Sequence, residues 1–288
     1  MLRGTTYHVT HRCLNQQFLL TPSPVVNEVF LYVLGVAAQR YDIQMHAFCV
    51  LSNHYHLVLT DPSANLPAFQ QFLDSMVGRA LNAYFGRRDY FWQSGSYCAV
   101  ALLDAGAIVD KTVYTLANPV TSRLVQSARQ WPGHWSAPES MGAGPRRVGR
   151  SDVFFDPKGS MPESVELELT VPAGFESPEA FREQVAAGLA EREAQLRTAG
   201  SGYVGLVKLR AQRPTDVPRA KPPERRIRPR VAARSTWRRI EALVGLKAFL
   251  QEHLEALASW RSGRREVAFP AGTYLMRVAH GAACAEYG

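Results

Sequence analysis

The chain has 288 residues, of which 46% are hydrophobic and 20% are charged, and its formal net charge is +8. This apolar content is enough for a buried core, and the excess of Lys and Arg favours a polyanionic partner, either nucleic acid or an anionic membrane surface. No segment approaches the run of about 18 apolar residues that a membrane span needs, and the N-terminus lacks the apolar region of a secretory signal. We therefore expect a cytoplasmic protein that does not bind a membrane.

The first half of the chain alternates strand-like and helix-like segments. Thr5 to Arg12 is rich in β-branched and aromatic side chains and predicts a strand. Pro24 to Arg40 carries apolar residues at helical spacing after Thr21 and Ser23, both plausible caps, which predicts a helix. Gln44 to Thr60 holds two apolar runs joined by the polar pair Ser52-Asn53 and predicts a β-hairpin.

Three further segments follow the hairpin. Leu66 to Phe85 predicts a second helix, Tyr90 to Ala101 an aromatic loop entering a fourth strand, and Asp104 to Asn118 a third helix capped by Asp104. Pro119 should bend or end that helix, because the residue before a proline is pushed out of the helical conformation. The order β-α-β-β-α-β-α predicts an α+β fold, ferredoxin-like or RRM-like, with an antiparallel sheet of four to five strands and helices on one face.

Composition divides the chain into four regions. We expect a compact domain over residues 1–140, a variable region with an amphipathic helix over 141–207, a basic linker over 208–235 and a small, mainly helical unit over 236–288. Lys208 to Arg239 contains twelve Lys or Arg, five Pro and only two acids. Such a segment cannot bury enough apolar surface to fold alone, and we expect it to contact nucleic acid through Arg225, Arg226, Arg228 and Arg230.

Two histidines in the hairpin are candidate metal ligands. His54 and His56 are two positions apart on one strand, so they point the same way, about 7 Å apart along the strand. Two imidazoles on one rigid face can share an ion. The alternative is a chance pair on the solvated face of a sheet, since the chain contains eight histidines.

Two other groups of residues bear on metal or redox chemistry. His8, His11 and Cys13 could in principle bind a metal, but strand alternation places His8 on the opposite face from the other two. None of the four cysteines forms a C-x-x-C pair, so we expect buried free thiols rather than disulfides at Cys13, Cys49, Cys98 and Cys284.

A tyrosine on the third predicted helix is a candidate nucleophile. Tyr114 lies one turn before Asn118 on the same helix face. A phenol is a weak nucleophile at neutral pH until a metal polarises the group that it attacks. The alternative is a tyrosine that only packs the helix onto the sheet.

The stretches that carry these residues resemble a known family. TTYHVTHRC, HAFCVLSNHYHLVL, the FWQ before the fourth strand and VYTLANPVTSRLV lie between about residues 3 and 136. They are similar to the single-tyrosine transposases of the HUH superfamily, most closely the REP-associated tyrosine transposases. In this chain Tyr55 stands between the two histidines, where the superfamily has a bulky hydrophobic residue.

The resemblance implies both a site and an activity. It implies that residues 1–140 form an HUH single-tyrosine transposase domain in which His54, His56 and Asn118 bind Mg²⁺ or Mn²⁺ and Tyr114 is the catalytic nucleophile. The implied activity is that of a metal-dependent DNA strand transferase or nickase, which cleaves and rejoins single-stranded or hairpin DNA through a 5′-phosphotyrosine. Imidazole ligands suit Zn, Fe, Cu or Ni better than Mg, so the identity of the metal follows the resemblance alone.

Phosphate contacts and the alternatives complete the expectations. Basic residues near the predicted site are candidate DNA contacts: Arg12, Arg79, Arg87, Arg88, Lys111 and Arg123. One alternative activity is that of an HUH replication initiator or relaxase. The other alternative is a domesticated nucleic-acid-binding regulator that keeps the fold without the chemistry. A homodimer is compatible with the sequence.

Overall fold

The computed structural model describes residues 2–95, 97–198, 200, 202–218 and 229–286. Its first half has the predicted order of elements. They are β1 (Thr5–Arg12), α1 (Pro24–Arg40), β2 (Gln44–Leu51), β3 (His54–Asp61), α2 (Leu66–Tyr84), β4 (Cys98–Leu102) and α3 (Ala105–Thr121). Predicted caps begin two helices: Ser23 Oγ accepts from the Val26 N–H at 3.2 Å, and Asp104 Oδ1 accepts from the Ala107 N–H at 2.7 Å.

The second half adds a hairpin, further helices and one short strand. These are β5 (Pro145–Gly149), β6 (Ser164–Glu168), α4 (Pro178–Thr198), α5 (Leu206–Arg210), β7 (Val231–Ala232), α6 (Thr236–Arg261) and α7 (Leu275–His280). No helix within the described residues is both long and apolar enough to cross a bilayer.

The main sheet has the strand order β2-β3-β1-β4-β7. β1, β2, β3 and β4 pair antiparallel, whereas β7 joins β4 in parallel. Along β1, Arg12 lies opposite His54 and Thr10 lies opposite His56. Because side chains alternate, His8, Thr10 and Arg12 share one face of the sheet with the two β3 histidines.

Both faces of the sheet are covered. One cluster packs α1, α2 and the β5–β6 hairpin against Tyr55, Leu57 and Leu59, while the other packs α3 and α4 against the opposite face around Val58. The predicted α+β fold with an antiparallel sheet is confirmed, but the prediction of helices on one face is wrong for α3. The physical reason is that β2 is buried along nearly its whole length, so both of its faces need a partner layer.

α3 continues through Pro119 to Thr121 instead of ending at Asn118. Ala117 and Val120, on either side of this point, are buried against the sheet at 1% and 0% exposure. This packing outweighs the single helix hydrogen bond that a proline cannot make.

The later regions contribute to the same clusters as the first. Val148 and Val165 of the β5–β6 hairpin pack in the α1 cluster, and Phe181 and Val185 of α4 pack in the α3 cluster. The division into residues 1–140, 141–207, 208–235 and 236–288 stays a prediction. All four cysteines are free: Cys13 and Cys49 are buried, and Cys98 and Cys284 are half-buried.

Candidate active site

The structure brings the four predicted site residues together where α3 crosses the sheet. The rings of His54 and His56 lie 4.8 Å apart, centre to centre, at an interplanar angle of 77°. The ring of Tyr114 meets the edge of His56 at 5.5 Å, and Asn118 Nδ2 lies 3.0 Å from His56 Nε2. Strand alternation and the single helical turn between Tyr114 and Asn118 set these relations.

A third histidine, His8 on β1, belongs to the same cluster. His8 Nε2 is 3.2 Å from His56 Nδ1, and the two rings stack 5.3 Å apart with an interplanar angle of 9°. The His8 ring also meets Tyr114 at 5.7 Å. The sequence could show that His8 and Arg12 share a strand face. It could not show the register between β1 and β3, which places His8 beside His56, 48 positions later in the chain.

Hydrogen bonds fix the tautomers of two imidazoles. The Asn118 amide N–H donates to His56 Nε2, so in neutral His56 the proton is on Nδ1 and is donated to His8 Nε2. The His54 Nδ1–H donates to Asn53 Oδ1 at 2.7 Å, which leaves the lone pair on His54 Nε2. Ser122 Oγ donates to Asn118 Oδ1 at 3.2 Å and holds the amide in place.

Burial keeps these imidazoles neutral. Desolvation lowers the pKa of His8 to about 3, with a smaller contribution from the Lys111 ammonium. Desolvation likewise lowers the pKa of His54 to about 3, helped by the Arg12 guanidinium. For His56, burial together with its histidine neighbours lowers the pKa well below the ordinary value. At neutral pH all three rings therefore carry lone pairs rather than charge.

Tyr114 is the exposed member of the group. Its side chain is 36% exposed, whereas His8, His56 and Asn118 are only 4–5% exposed. Lys111, one helical turn earlier, places its ammonium 5.1 Å from the centre of the Tyr114 ring. The phenol can therefore be reached from outside, next to a positive charge.

Two of the predicted basic residues lie at this site. Arg12 ends β1 opposite His54 and is exposed. Its charge and that of Lys111 both act on the histidines, as the pKa values of His54 and His8 show.

The other basic candidates lie elsewhere. Arg79, on α2, and Arg87 and Arg88, just after it, belong to the side of the sheet that α1 and α2 cover. Arg87 donates to Gln17 Oε1 at 3.3 Å, and Arg123 donates to the Leu196 carbonyl at 2.7 Å. Arg230 is exposed, whereas Arg225, Arg226 and Arg228 lie outside the described residues.

The donor set fits a divalent cation. No cluster of three or more His, Cys, Asp or Glu within the described ranges could hold a metal ion. The candidate set is instead two neutral imidazoles and one amide, His54, His56 and Asn118, all of which are metal ligands in proteins. Asn118 faces His56 through Nδ2, so a half-turn of the amide about Cβ–Cγ is needed to present its carbonyl oxygen, and this turn breaks the present hydrogen bonds of the amide to His56 and Ser122.

Comparison with known proteins gives a likeness of fold. No protein-family profile and no curated protein matches the chain. The chain is similar to a REP-associated tyrosine transposase bound to a REP hairpin, with 16% identity over 46% of this chain and 76% of that chain, at a TM-score of 0.40. It is also similar to a protein of Deinococcus radiodurans R1 assigned as a transposase, with 19% identity over 35% and 80% of the two chains, at a TM-score of 0.30. Both are described as transposases, the class that the motifs resemble, but likeness of this size carries no argument about activity.

Proposed function

We propose that this protein is a metal-dependent DNA strand transferase that cleaves and rejoins single-stranded or hairpin DNA through Tyr114. One observation supports this most strongly: the exposed Tyr114 ring lies 5.5 Å from the ring of His56 and 5.7 Å from that of His8, both buried. A tyrosine that only packed α3 onto the sheet would be covered by its neighbours. Tyr114 instead leaves its phenol exposed beside the neutral imidazoles of His8 and His56.

The proposed chemistry is a transesterification. Tyr114 Oη attacks the phosphorus of a DNA phosphodiester, the P–Oη bond forms and the P–O3′ bond breaks. The products are a 5′-phosphotyrosine and a strand with a free 3′-hydroxyl. The leaving oxygen keeps the bonding pair and takes up a proton, which balances the proton lost by the phenol. Attack by a 3′-hydroxyl on the phosphotyrosine reverses the step, so no nucleotide cofactor is needed.

The chain's own residues would prepare this step. A divalent cation, Mg²⁺ or Mn²⁺, would be held by His54, His56 and Asn118 and would supply Lewis-acid polarisation of the scissile phosphate. His54 offers Nε2 because its Nδ1–H is committed to Asn53. His56, whose Nδ1–H is committed to His8, would offer Nε2 once the Asn118 amide turned and no longer donated to it.

The charge around the site suits a phosphate. The Arg12 guanidinium and the Lys111 ammonium both help to lower the pKa of the site histidines, so the cluster lies in positive surroundings. The positive charges of Arg12 and Lys111 weaken the binding of a metal cation by itself, whereas a bound DNA phosphate places negative charge next to the cation. We therefore expect metal and DNA to bind cooperatively, each raising the affinity for the other by the same factor.

The proposed substrate is a hairpin because the quoted motifs resemble REP-associated transposases. Cleavage and rejoining of such DNA is the chemistry of transposition and DNA recombination. The basic linker, including Arg225, Arg226, Arg228 and Arg230, is proposed to add phosphate contacts that strengthen binding without selecting sequence.

The test is trapping of the covalent product. Wild-type protein is incubated with end-labelled hairpin DNA and Mn²⁺, then analysed on a denaturing gel, and the adduct is mapped to a peptide. A labelled band whose DNA is attached to Tyr114 is expected. Tyr90→Phe is a matched control, since Tyr90 is an 85% exposed tyrosine outside the site, and it should keep the band.

The outcomes separate the alternatives. Tight hairpin binding with no adduct under any metal would favour the nucleic-acid-binding regulator. An adduct formed only on a plasmid origin or circle junction would favour the replication initiator or relaxase.

A further inference from the structure

The outer face of α6 carries apolar side chains that nothing in the described structure covers. The helix is docked by its other face, where Ala256 packs with Phe269 and Met276 and where His253 Nδ1 lies 3.3 Å from Thr273 Oγ1. The outward side chains are large, apolar and 47–77% exposed: Trp237, Ile240, Leu243, Val244, Leu250 and Leu254. A contiguous row of this kind marks an interaction surface, whereas single exposed leucines do not.

The spacing of this face is that of a coiled-coil seam. Steps of three and four residues alternate along one line of the helix, which we call the α6 seam: Ile240, Leu243, Lys247, Leu250, Leu254 and Leu257. Leu257, at the edge of this line, is half-buried and also packs against the Ala256 cluster of its own chain. A strict alternation of three and four is the a/d pattern that packs one helix against another along its length. A single polar residue at one such position is how coiled coils select register and orientation.

We propose that the α6 seam binds the α6 seam of a second copy of this chain, antiparallel, to form a homodimer. In that pairing Ile240 packs on the partner's Leu257 and Leu243 packs on the partner's Leu254. Lys247 then lies beside the partner's Leu250, where its long stem packs and its ammonium reaches water. Each seam residue finds a complement in the same helix, as a twofold interface requires.

Charge selects the antiparallel orientation. A parallel pair would set Lys247 directly against the partner's Lys247 in the middle of an apolar seam. Two like charges with little water between them repel strongly. The antiparallel pair offsets the two lysines by three residues, about 4.5 Å along the helix axis, and leaves every other seam position apolar.

Two other occupants fit the seam poorly. Residues 219–228, which lie outside the described structure, read RAKPPERRIR and include Ile227 as the single large apolar residue. That segment cannot cover the five apolar side chains of the seam. DNA is also a poor occupant, because its phosphates bind cations rather than leucine side chains.

The N-terminal end of α6 is held rigidly, which suits an interface. The Ser235 N–H donates to Asp104 Oδ2 at 3.2 Å, and Arg238 donates to the Leu103 carbonyl at 3.1 Å. Arg234 pairs with Asp110 through two hydrogen bonds of 2.9 and 2.5 Å. A seam fixed in this way loses little further freedom on association.

The first test is sedimentation velocity of the full-length chain over a concentration series. The wild-type protein should form a dimer, and Leu243→Glu or Leu254→Glu should each raise the dissociation constant by about tenfold or more, the usual effect of losing a central interface anchor. Leu275→Glu is the matched control, since Leu275 is 66% exposed on α7 and outside the seam. Circular dichroism checks that each variant is folded.

A gain of association makes the test independent of any loss of fold. Lys247→Leu completes the seam and should lower the dissociation constant, which misfolding cannot do while the species stays a discrete dimer. A wild-type chain that is monomeric at every concentration, or a Leu275→Glu variant as impaired as Leu243→Glu, would overturn the proposal. So would retention of a monomeric wild type on phospholipid vesicles through the same leucines.

Cross-linking tests the orientation. In a background with Cys98→Ser and Cys284→Ser, a mixture of Leu243→Cys and Leu254→Cys chains should form a disulfide-linked dimer under mild oxidation. Each variant alone should not, because position 243 faces position 254 of the partner. Efficient cross-linking of Leu243→Cys alone would overturn the antiparallel pairing.

Discussion

Each face of the central sheet carries one β1 histidine, and the two histidines have different hydrogen-bonding partners. On one face His11 Nδ1 lies 2.9 Å from Asp74 Oδ2, and the Tyr55 hydroxyl donates to Asp74 Oδ1 at 2.7 Å. On the other face His8 Nε2 lies 3.2 Å from His56 Nδ1, and the Tyr114 ring meets the His8 ring at 5.7 Å. His8 and His11 are three positions apart on β1, yet among the described residues His11 has a carboxylate partner and His8 does not.

The difference shows what turns a buried histidine into a candidate ligand. The Asp74 cluster is closed: Gln70 and the Trp92 indole also donate to this residue, through its side chain and backbone, and the Trp92 ring stacks on His11 at 5.0 Å. Most of its polar groups have partners within the cluster, which stabilises the fold, although the buried His11 Nε2 and Gln70 Oε1 have none among the described residues. Within the described part of the chain, the hydrogen bonds of His56 run to His8 and Asn118 and to no acid, so we propose that a turn of the Asn118 amide would open the His56 Nε2 lone pair to a cation.

The largest expected effect compares one tyrosine from each face. Tyr114→Phe should abolish the covalent DNA adduct with little change in DNA affinity or thermal stability, because only an exposed phenolic oxygen is lost. Tyr55→Phe should keep the adduct but lower the free energy of unfolding by about 1–3 kcal/mol, since Asp74 loses a buried donor. Gel analysis and denaturant unfolding of both variants measure this. An adduct that survives in Tyr114→Phe would refute the nucleophile.

The next effect compares one histidine from each face. His56→Ala should weaken Mn²⁺ binding by more than the roughly 10–100-fold that loss of a supporting residue costs, and cleavage should fall with it. His11→Ala should leave Mn²⁺ binding near the wild-type value while lowering stability, because it breaks the contact with Asp74. Calorimetric titration in the presence of an uncleavable hairpin gives the metal affinity. An equal loss of Mn²⁺ affinity in His56→Ala and His11→Ala would show that metal binding is not specific to the His56 face of the sheet.

A smaller effect separates support from ligation at His8. His8→Ala removes the acceptor of the His56 Nδ1–H and should weaken Mn²⁺ binding by about 10–100-fold. His8→Gln restores an acceptor oxygen and should recover part of this loss. Nitrogen NMR shifts of His56 report the tautomer directly. If the tautomer is unchanged in His8→Ala, His8 does not position His56.

The smallest effect concerns another buried histidine, His46. Burial lowers its pKa to about 4, and its neighbours are Thr60 Oγ1 and the Thr170 carbonyl. A lowered pKa means that the unfolded chain binds the proton more readily, so stability is present above pH 6.5 and is lost as the pH falls towards 4. Between pH 6.5 and 5.5 this loss is about 1 kcal/mol for one such group. His46→Gln should lose about that much less of its free energy of unfolding between pH 6.5 and 5.5 than the wild type, as measured by denaturant unfolding at each pH. If the two proteins show the same pH dependence, His46 is not the source of the loss.

Local patterns in the sequence predicted the elements well. β1 and α1 have the expected bounds, Thr5–Arg12 and Pro24–Arg40, because alternation, helical spacing and the Ser23 cap are properties of neighbouring residues. The pairing of His54 with His56 follows from alternation in the same way. These relations need no knowledge of the rest of the chain.

Relations across the sheet could not be predicted. The place of His8 beside His56 depends on the register between β1 and β3, which no local pattern encodes. The side of the sheet that α3 covers depends on which face α1 and α2 leave open. Its passage through Pro119 depends on packing that outweighs a local preference. Each of these is decided by long-range contacts.

The two-residue strand β7 has a consequence for any shortened version of the chain. The Ala101 N–H donates to the Arg230 carbonyl and the Leu103 N–H to the Ala232 carbonyl, each at 2.9 Å. A fragment that stopped at residue 140 would keep β4 but expose these donors along an open edge. Open edges recruit strands from other molecules and promote aggregation. By pairing with β4, residues 230–232 therefore protect the sheet formed by the first half of the chain from edge-to-edge association with other molecules.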